Sequence, residues 1–311
     1  MKQPDLDRFV RERLEPRELP AGLSEAWLTE RMKGVAGYSL RLARTLHSER
    51  SPYQQIDLYE AAHHGKVLVL DGCLMMTELD EFIYHEMLAH VAAQTVGGPK
   101  RAVVVGGGDG GAVRELLKHP TLEHVTLAEI DERVVRLCQE HFPDVACGLE
   151  DERTSLHFGD GAAYLEAQPE SSLDVVLVDS TDPVGPAEAL VTEGFYRQIA
   201  RSLAPGGVLV AQTQSPFYFP GETVQIHATL QQVFRYTTMF WAVVPAYLGF
   251  LWTFCCCSQE RDPLAALGGL PEGLHKTLGT RYYSTEMHRG SFALPPFIQA
   301  CLPEGHCQRA I

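Results

Sequence analysis

Residues 102–116 read Ala-Val-Val-Val-Gly-Gly-Gly-Asp-Gly-Gly-Ala-Val-Arg-Glu-Leu, and no other stretch of the chain narrows its fold as far. A β-branched run that ends in glycines and resumes with helical periodicity is a strand, a tight turn and a helix in immediate succession. Glycine lets the backbone turn sharply and come close to a ligand near the helix N-terminus. The spacing satisfies G-x-G-x-x-G, so a dinucleotide site enters consideration.

The residues that follow repeat the alternation. Strands are predicted over 102–105, 124–129, 154–158, 173–178 and 208–212, and helices over 112–118, 132–141, 188–203 and about 222–233. Strands alternating with helices imply a parallel, doubly wound α/β sheet. Residues 239–257 form 19 positions without a formal charge, close to the length of a membrane span. Pro245 and Gly249 interrupt them, and the flanks are rich in Trp, Tyr, Phe, Val and Thr, which predicts two strands joined by a turn. A parallel sheet finished by such a hairpin is the methyltransferase-type, Rossmann-like arrangement.

Upstream, strands are predicted over 53–59 and 66–70, with turns at His64-Gly65 and Asp71-Gly72. A helix over 80–91 places Ile83, Met87 and Val91 on one face. The expected organisation is a small N-terminal β-rich domain, residues 1–78, and a Rossmann-like catalytic domain, residues 79–311.

Charge limits the partners. Lys plus Arg number 26 against 40 Asp plus Glu, a formal charge of −14, which argues against nucleic acid and for cationic ligands. The first eight residues are charged and lack an apolar core, so no secretory signal is expected. Eight cysteines at irregular spacing, with Cys255, Cys256 and Cys257 contiguous, match neither a disulfide framework nor a zinc site. A cytoplasmic protein that neither binds nor crosses a membrane is expected.

Acids then fall at successive strand ends, where open α/β sheets bind ligands. Asp109 sits inside the glycine turn, where it repels a pyrophosphate and favours an ammonium or sulfonium; a helix N-cap is the alternative. Glu129 stands about 20 residues beyond the loop, where an acid accepts from ribose hydroxyls. Asp160 and Gly161 follow the next strand, suited to an adenine amino group. Asp179 and Asp182 belong to Asp-Ser-Thr-Asp-Pro-Val-Gly-Pro at a fourth strand end, which by itself is also an ordinary turn.

Taken in order, Tyr53-Gln54-Gln-Ile, Leu68-Val-Leu-Asp71-Gly72, Asp80-Glu-Phe-Ile-Tyr84-His85-Glu86-Met, the glycine loop, Glu129-Ile-Asp131, Asp160-Gly161, residues 179–186 and Tyr282-Tyr-Ser-Thr-Glu-Met-His-Arg289 resemble the spermidine synthases, the polyamine aminopropyltransferases. The resemblance runs from about residue 50 to the end of the chain. It implies transfer of the aminopropyl group of decarboxylated S-adenosylmethionine, a co-substrate rather than a cofactor, to a diamine, usually putrescine, giving spermidine and methylthioadenosine. It further implies that Gln54, His85, Asp109, Glu129, Asp160, Gly161 and Pro186 hold the donor, and that Tyr84, Asp179, Asp182, Gln212 and Tyr247 hold the acceptor. Asp179 would be the catalytic residue, no metal would take part, and the assembly would be a homodimer or homotetramer. Met75 departs from the glutamine of many relatives at the substrate gate, which leaves agmatine or cadaverine as alternative acceptors.

The donor carries a sulfonium and an ammonium but no carboxylate, so Asp109 complements it. An alkylammonium titrates near 10 and an aspartate near 4, a mismatch of about 6 units or roughly 8 kcal/mol, so Asp179 is expected to orient the amine and stabilise developing charge rather than act as a strong base. His85 and His90 flank Glu86 one residue too far apart for the helical zinc motif, and His90 is expected to be structural. Trp27 is a further candidate for the distal amine. An NAD-dependent oxidoreductase would leave Asp109 and Asp179 unexplained, and a non-catalytic polyamine binder would be expected to lack Asp179 or Tyr84.

Overall fold

A computed structural model describes residues 26–32, 34–181 and 185–302, with Pro186 described through its backbone alone. Backbone contacts divide the chain into two units. The smaller runs through Glu81 and includes 246–248; the larger comprises Phe82–Pro245 and the chain from Gly249 onward.

The smaller unit is an antiparallel five-stranded sheet in sequence order: β1 (Trp27–Met32), β2 (Ala36–Arg50), β3 (Gln55–Ala61), β4 (Gly65–Leu70) and β5 (Cys73–Thr77). Its core gathers Leu40, Ala61, Val67, Val69 and Leu74 around Ala246. Strands β3 and β4 answer to the two predicted strands; β1, β2 and β5 were not anticipated. β2 carries Arg41, Arg44, Glu49 and Arg50 along a largely exposed or half-buried length, so it lacks the clean apolar alternation by which a strand is recognised.

The larger unit is built on seven strands: β6 (Arg101–Gly106), β7 (His124–Glu129), β8 (Thr154–Phe158), β9 (Leu173–Asp179), β10 (Leu203–Gln214), β11 (Tyr236–Val243) and β12 (Leu251–Ser258). Their spatial order is β11-β12-β10-β9-β6-β7-β8, with β6 to β10 parallel and β11 and β12 antiparallel. This is the predicted doubly wound, methyltransferase-type sheet with its terminal hairpin. Val103, Val104 and Val105 are at most 1% exposed although successive side chains point to opposite faces, so β6 is covered on both.

The stretch of span-like length is thus β11, a turn and β12, and no helix among the described residues is long and apolar enough to cross a membrane. Cys255, Cys256 and Cys257 lie inside β12, where burial pushes their thiols up. One predicted helix is corrected: 188–203 is a 3₁₀ segment, Gly185–Val191, followed by a helix over Glu193–Ser202. Thr192 interrupts them, its hydroxyl accepting from the Phe195 N–H as an N-cap. Leu203 then already belongs to β10.

Candidate active site

β6, β7, β8 and β9 run parallel, and their carboxyl ends carry the acids singled out above. After β6 the chain turns through Gly106, Gly107 and Gly110, all at positive φ (77°, 68° and 84°), and starts the helix Gly111–Leu117. Ligand approach is not the only reason for glycine here. The Gly107 N–H donates to the Asp179 carbonyl at 2.8 Å. A side chain at Gly106 would run into that carbonyl, one at Gly107 would come within 2.7 Å of Asp179 Oδ2, and one at Gly111 would strike the His85 ring. The loop is pressed between the end of β9 and the helix Glu81–Val96, which carries Tyr84 and His85.

Asp109 lies 3.3 Å from His85 Nε2 and accepts the Gly111 N–H at 2.7 Å. It therefore does part of a cap's work, although Gly110 occupies the N-cap position itself. Burial opposes its ionisation, but the charge and hydrogen bond of His85, the Gly111 N–H and Arg114 outweigh it and hold the carboxyl below its ordinary value. Glu129, at the end of β7, accepts from the Asp131 N–H at 2.9 Å. Burial, with the nearby charges of Asp131 and Asp179, pushes Glu129 up to about 7. Asp160 is exposed and caps the helix Gly161–Glu166, its Oδ1 accepting from Ala162 and Ala163. A Cβ on Gly161 would come within 2.5 Å of Val105, so that helix starts tight against β6.

Asp179 ends β9. Its Oδ2 is buried with no hydrogen-bond partner. Burial first, then the negative charge of Asp109, pushes Asp179 up to about 6 against the opposing pull of His85 and of a hydrogen bond from Tyr84. Tyr84 is itself buried, its ring edge-on to His85 and tilted against Phe254. Gln212, on neighbouring β10, commits both ends of its amide to main chain: Nε2 donates to the Ser180 carbonyl at 3.2 Å and Oε1 accepts from the Gln214 N–H at 3.1 Å. The second link spans a bulge at which Gln214 adopts φ 77°. Asp182 lies outside the described residues, as does the side chain of Pro186.

Gln54, Tyr247 and Trp27 belong to the smaller unit. Gln54 closes a turn with Ser51. The Tyr247 hydroxyl donates to the Met75 carbonyl at 2.9 Å, so it is the backbone of Met75 that engages this tyrosine. Trp27 is exposed on β1.

Two buried polar groupings of the larger unit were not read from the sequence. Glu86, directly after Tyr84-His85, accepts the N–H groups of Arg281, Tyr282 and Tyr283, each at 2.8 Å. His90 turns to Glu115 and His119, so it and His85 serve different partners. The sequence signal was the short interval between these charged positions on apolar helices; their partners lie far along the chain.

Comparison with known proteins identifies the family. Residues 81–265 match the spermine/spermidine synthase domain, and residues 26–78 the spermidine synthase tetramerisation domain. The polyamine aminopropyltransferase of Shouchella clausii is 41% identical over 278 residues, 89% of this chain and 99% of its own length. That of Bacillus mycoides is 42% identical over 274 residues, covering 88% and 98%. The crystal structure of spermidine synthase in complex with the transition state analogue AdoDATO superposes with a TM-score of 0.86 at 33% identity, covering 93% of this chain and 96% of that one. Sequence and fold converge, and the chain belongs to the spermine/spermidine synthase family, the polyamine aminopropyltransferase enzymes.

Proposed function

We propose that the protein transfers the aminopropyl group of decarboxylated S-adenosylmethionine to putrescine, giving spermidine and methylthioadenosine. The observation that carries this is Asp179: a carboxylate whose Oδ2 is buried without a partner and against whose ionisation another carboxylate, Asp109, acts. The groups acting on it are Asp109, His85 and Tyr84, none of them a lysine or arginine. Cationic substrates supply the compensating charge that the protein's own groups do not.

In the step itself the amine lone pair attacks the carbon bonded to sulfur. The C–N bond forms as the C–S bond breaks, the bonding pair goes to sulfur, and positive charge passes from sulfonium to nitrogen, which then loses its proton to solvent. At neutral pH an Asp179 titrating at about 6 is mostly ionised. Against an alkylammonium near 10 the mismatch is still about 4 units, or roughly 5 kcal/mol, and bound cations pull Asp179 down again. Its part is to orient the amine and stabilise the charge growing on nitrogen, with Tyr84 as hydrogen-bond partner. The charge balance calls for no cofactor or metal.

From the family resemblance, His85, Asp109, Glu129, Asp160, Gly161, Pro186 and Gln54 are assigned to the donor, and Tyr84, Asp182 and Tyr247 to the acceptor beside Asp179. Gln212 is assigned to the acceptor side indirectly, through its hold on Ser180 next to Asp179. Residues 1–78 and 79–311 are the proposed domains, the match of 26–78 to a tetramerisation domain supports a homo-oligomer, and a cytoplasmic location fits this chemistry.

The test is to incubate the protein with decarboxylated S-adenosylmethionine and, separately, putrescine, cadaverine, agmatine or spermidine, and to measure methylthioadenosine. Putrescine should give the fastest release. No release with any amine overturns the proposal; release with agmatine but not putrescine changes the acceptor.

A further inference from the structure

Helix Glu81–Val96 meets the segment after β6 at two levels. At the first, His85 reaches Asp109 and lies over the bare backbone of Gly111. Five residues further along, His90 Nε2 lies 2.9 Å from Glu115 Oε2 and His90 Nδ1 lies 2.9 Å from His119 Nε2. Five residues of helix are about 7.5 Å, so the two levels are separate holds along one line of contact. All three side chains of the second level are buried: His90 and Glu115 are at most 1% exposed, and His119 is 5% exposed.

The protons of this second level can be placed. Burial works against ionisation of Glu115, but the His90 hydrogen bond and the cations Arg114 and Lys118 outweigh it and hold its carboxyl well below the usual range. An ionised carboxylate only accepts, so His90 donates through Nε2. Burial, helped by His90 and Lys118, lowers His119 to about 3, so its ring is neutral at pH 7 and shares one proton with His90 Nδ1. The Tyr283 ring closes over His90 at 5.0 Å. None of these residues is among those assigned to the donor or the acceptor.

We infer that the buried Glu115–His90–His119 chain is a positioning device for the donor side of the site. It fixes the rotation and axial register of the helix that bears His85, and so keeps His85 on Asp109. A buried, hydrogen-bonded charge tolerates little displacement, because a shifted His90 takes one of three donors from ionised Glu115 and leaves it to Arg114 and Lys118. The contact at Gly111 is steric and stops His85 from moving inward, Glu86 ties the same helix to residues 281–283, and the Glu115–His90–His119 chain adds a charged hold five residues beyond His85. This inference rests on the donor assignment above.

The test separates donor from acceptor and binding from turnover. In the full-length protein, His90→Ala should weaken methylthioadenosine binding, read by calorimetry, and raise the donor KM, each about tenfold, while the putrescine KM stays within about twofold. His90→Gln, whose amide nitrogen can still reach Glu115, should recover both donor readouts to within about threefold of the parent. Equal movement of both KM values, an unmoved donor KM, or a glutamine variant no better than alanine overturns the inference. If His90→Ala loses its near-ultraviolet circular dichroism, Glu115→Gln decides: a donor-side loss of about threefold supports the inference, and no loss overturns it. If the parent protein binds no methylthioadenosine, the donor assignment fails and this inference with it; if the parent binds it and the variants bind equally, this inference alone fails.

Discussion

Glu115 is a buried carboxylate of the larger unit and Asp179 a half-buried one with a buried Oδ2, and the protein surrounds them in opposite ways. Glu115, on the helix after the glycine loop, is met by His90, Arg114 and Lys118. Asp179, at the end of β9, has an oxygen without a partner and another carboxylate, Asp109, acting against its ionisation. Glu86 belongs with Glu115, since three backbone N–H groups converge on it, and Glu129 belongs with Asp179, since burial and neighbouring acids raise it to about 7. A buried charge that the protein fully compensates holds elements together. One that it leaves facing like charge weakens the fold and is suited to a cationic ligand.

The contrast is sharpest in turnover. Asp179→Asn should lower kcat by about 10²–10³-fold in the methylthioadenosine assay, the scale of losing one group that stabilises transition-state charge. Parent-like turnover by this variant would break the comparison at its functional end. At the other end, Glu86→Ala leaves three N–H groups without their acceptor and should cost about 3 kcal/mol of unfolding free energy or more, read from denaturant melts. A loss below about 1 kcal/mol would mean that Glu86 is not a scaffold acid in this sense.

Stability against pH separates the two kinds directly. The carboxyl of Asp179 is raised on folding from 3.8 to about 6, so the folded state binds its proton more tightly than the unfolded state. Its contribution therefore becomes less favourable as pH climbs through that window. Asp179→Asn should accordingly stabilise the protein by about 1–3 kcal/mol above pH 6, and this gain should be gone by about pH 4. Glu115 is shifted the opposite way, so its contribution is present above the ordinary glutamate range and is lost on acidification. A stability difference for Asp179→Asn that ignores pH would show that the carboxylate is not held against its own charge. The smallest effect belongs to Tyr84→Phe. Removing a hydrogen bond that favours the ionised form should lower turnover about tenfold at neutral pH and move the acid limb of the Asp179-dependent pH profile upward.

What could be read in advance follows from the range of the interactions. Strands β6, β7 and β9 are legible because each is a short apolar run whose burial on both faces leaves little polar alternation, whereas β8 alternates half-buried and exposed positions; the glycine turn announces itself through backbone conformation. The helix expected over 188–203 was misjudged because a single hydroxyl, that of Thr192, restarts it. Strands β1 and β2 were invisible because their charged residues remain outside the core of the small sheet. In the site, Asp109 and Asp179 each also read as ordinary turn or cap residues, and they stand out only as members of a series of acids at successive strand ends. That Gln212 spends its amide on Ser180 and Gln214 could not be read, because the bulge at Gln214 appears only once β10 pairs with β12.

The sequence by itself determined the order of the strands from β6 onward, the glycine turn and the kinds of side chain at each strand end, since all of these depend on neighbours a few residues apart. Tertiary structure alone decided which acids are satisfied. The protonation of a carboxylate is set by what packs against it: His85 brings a positive influence to Asp109 from 24 positions away, Asp109 bears on Asp179 from 70, and Glu86 finds its three donors some 195 residues later.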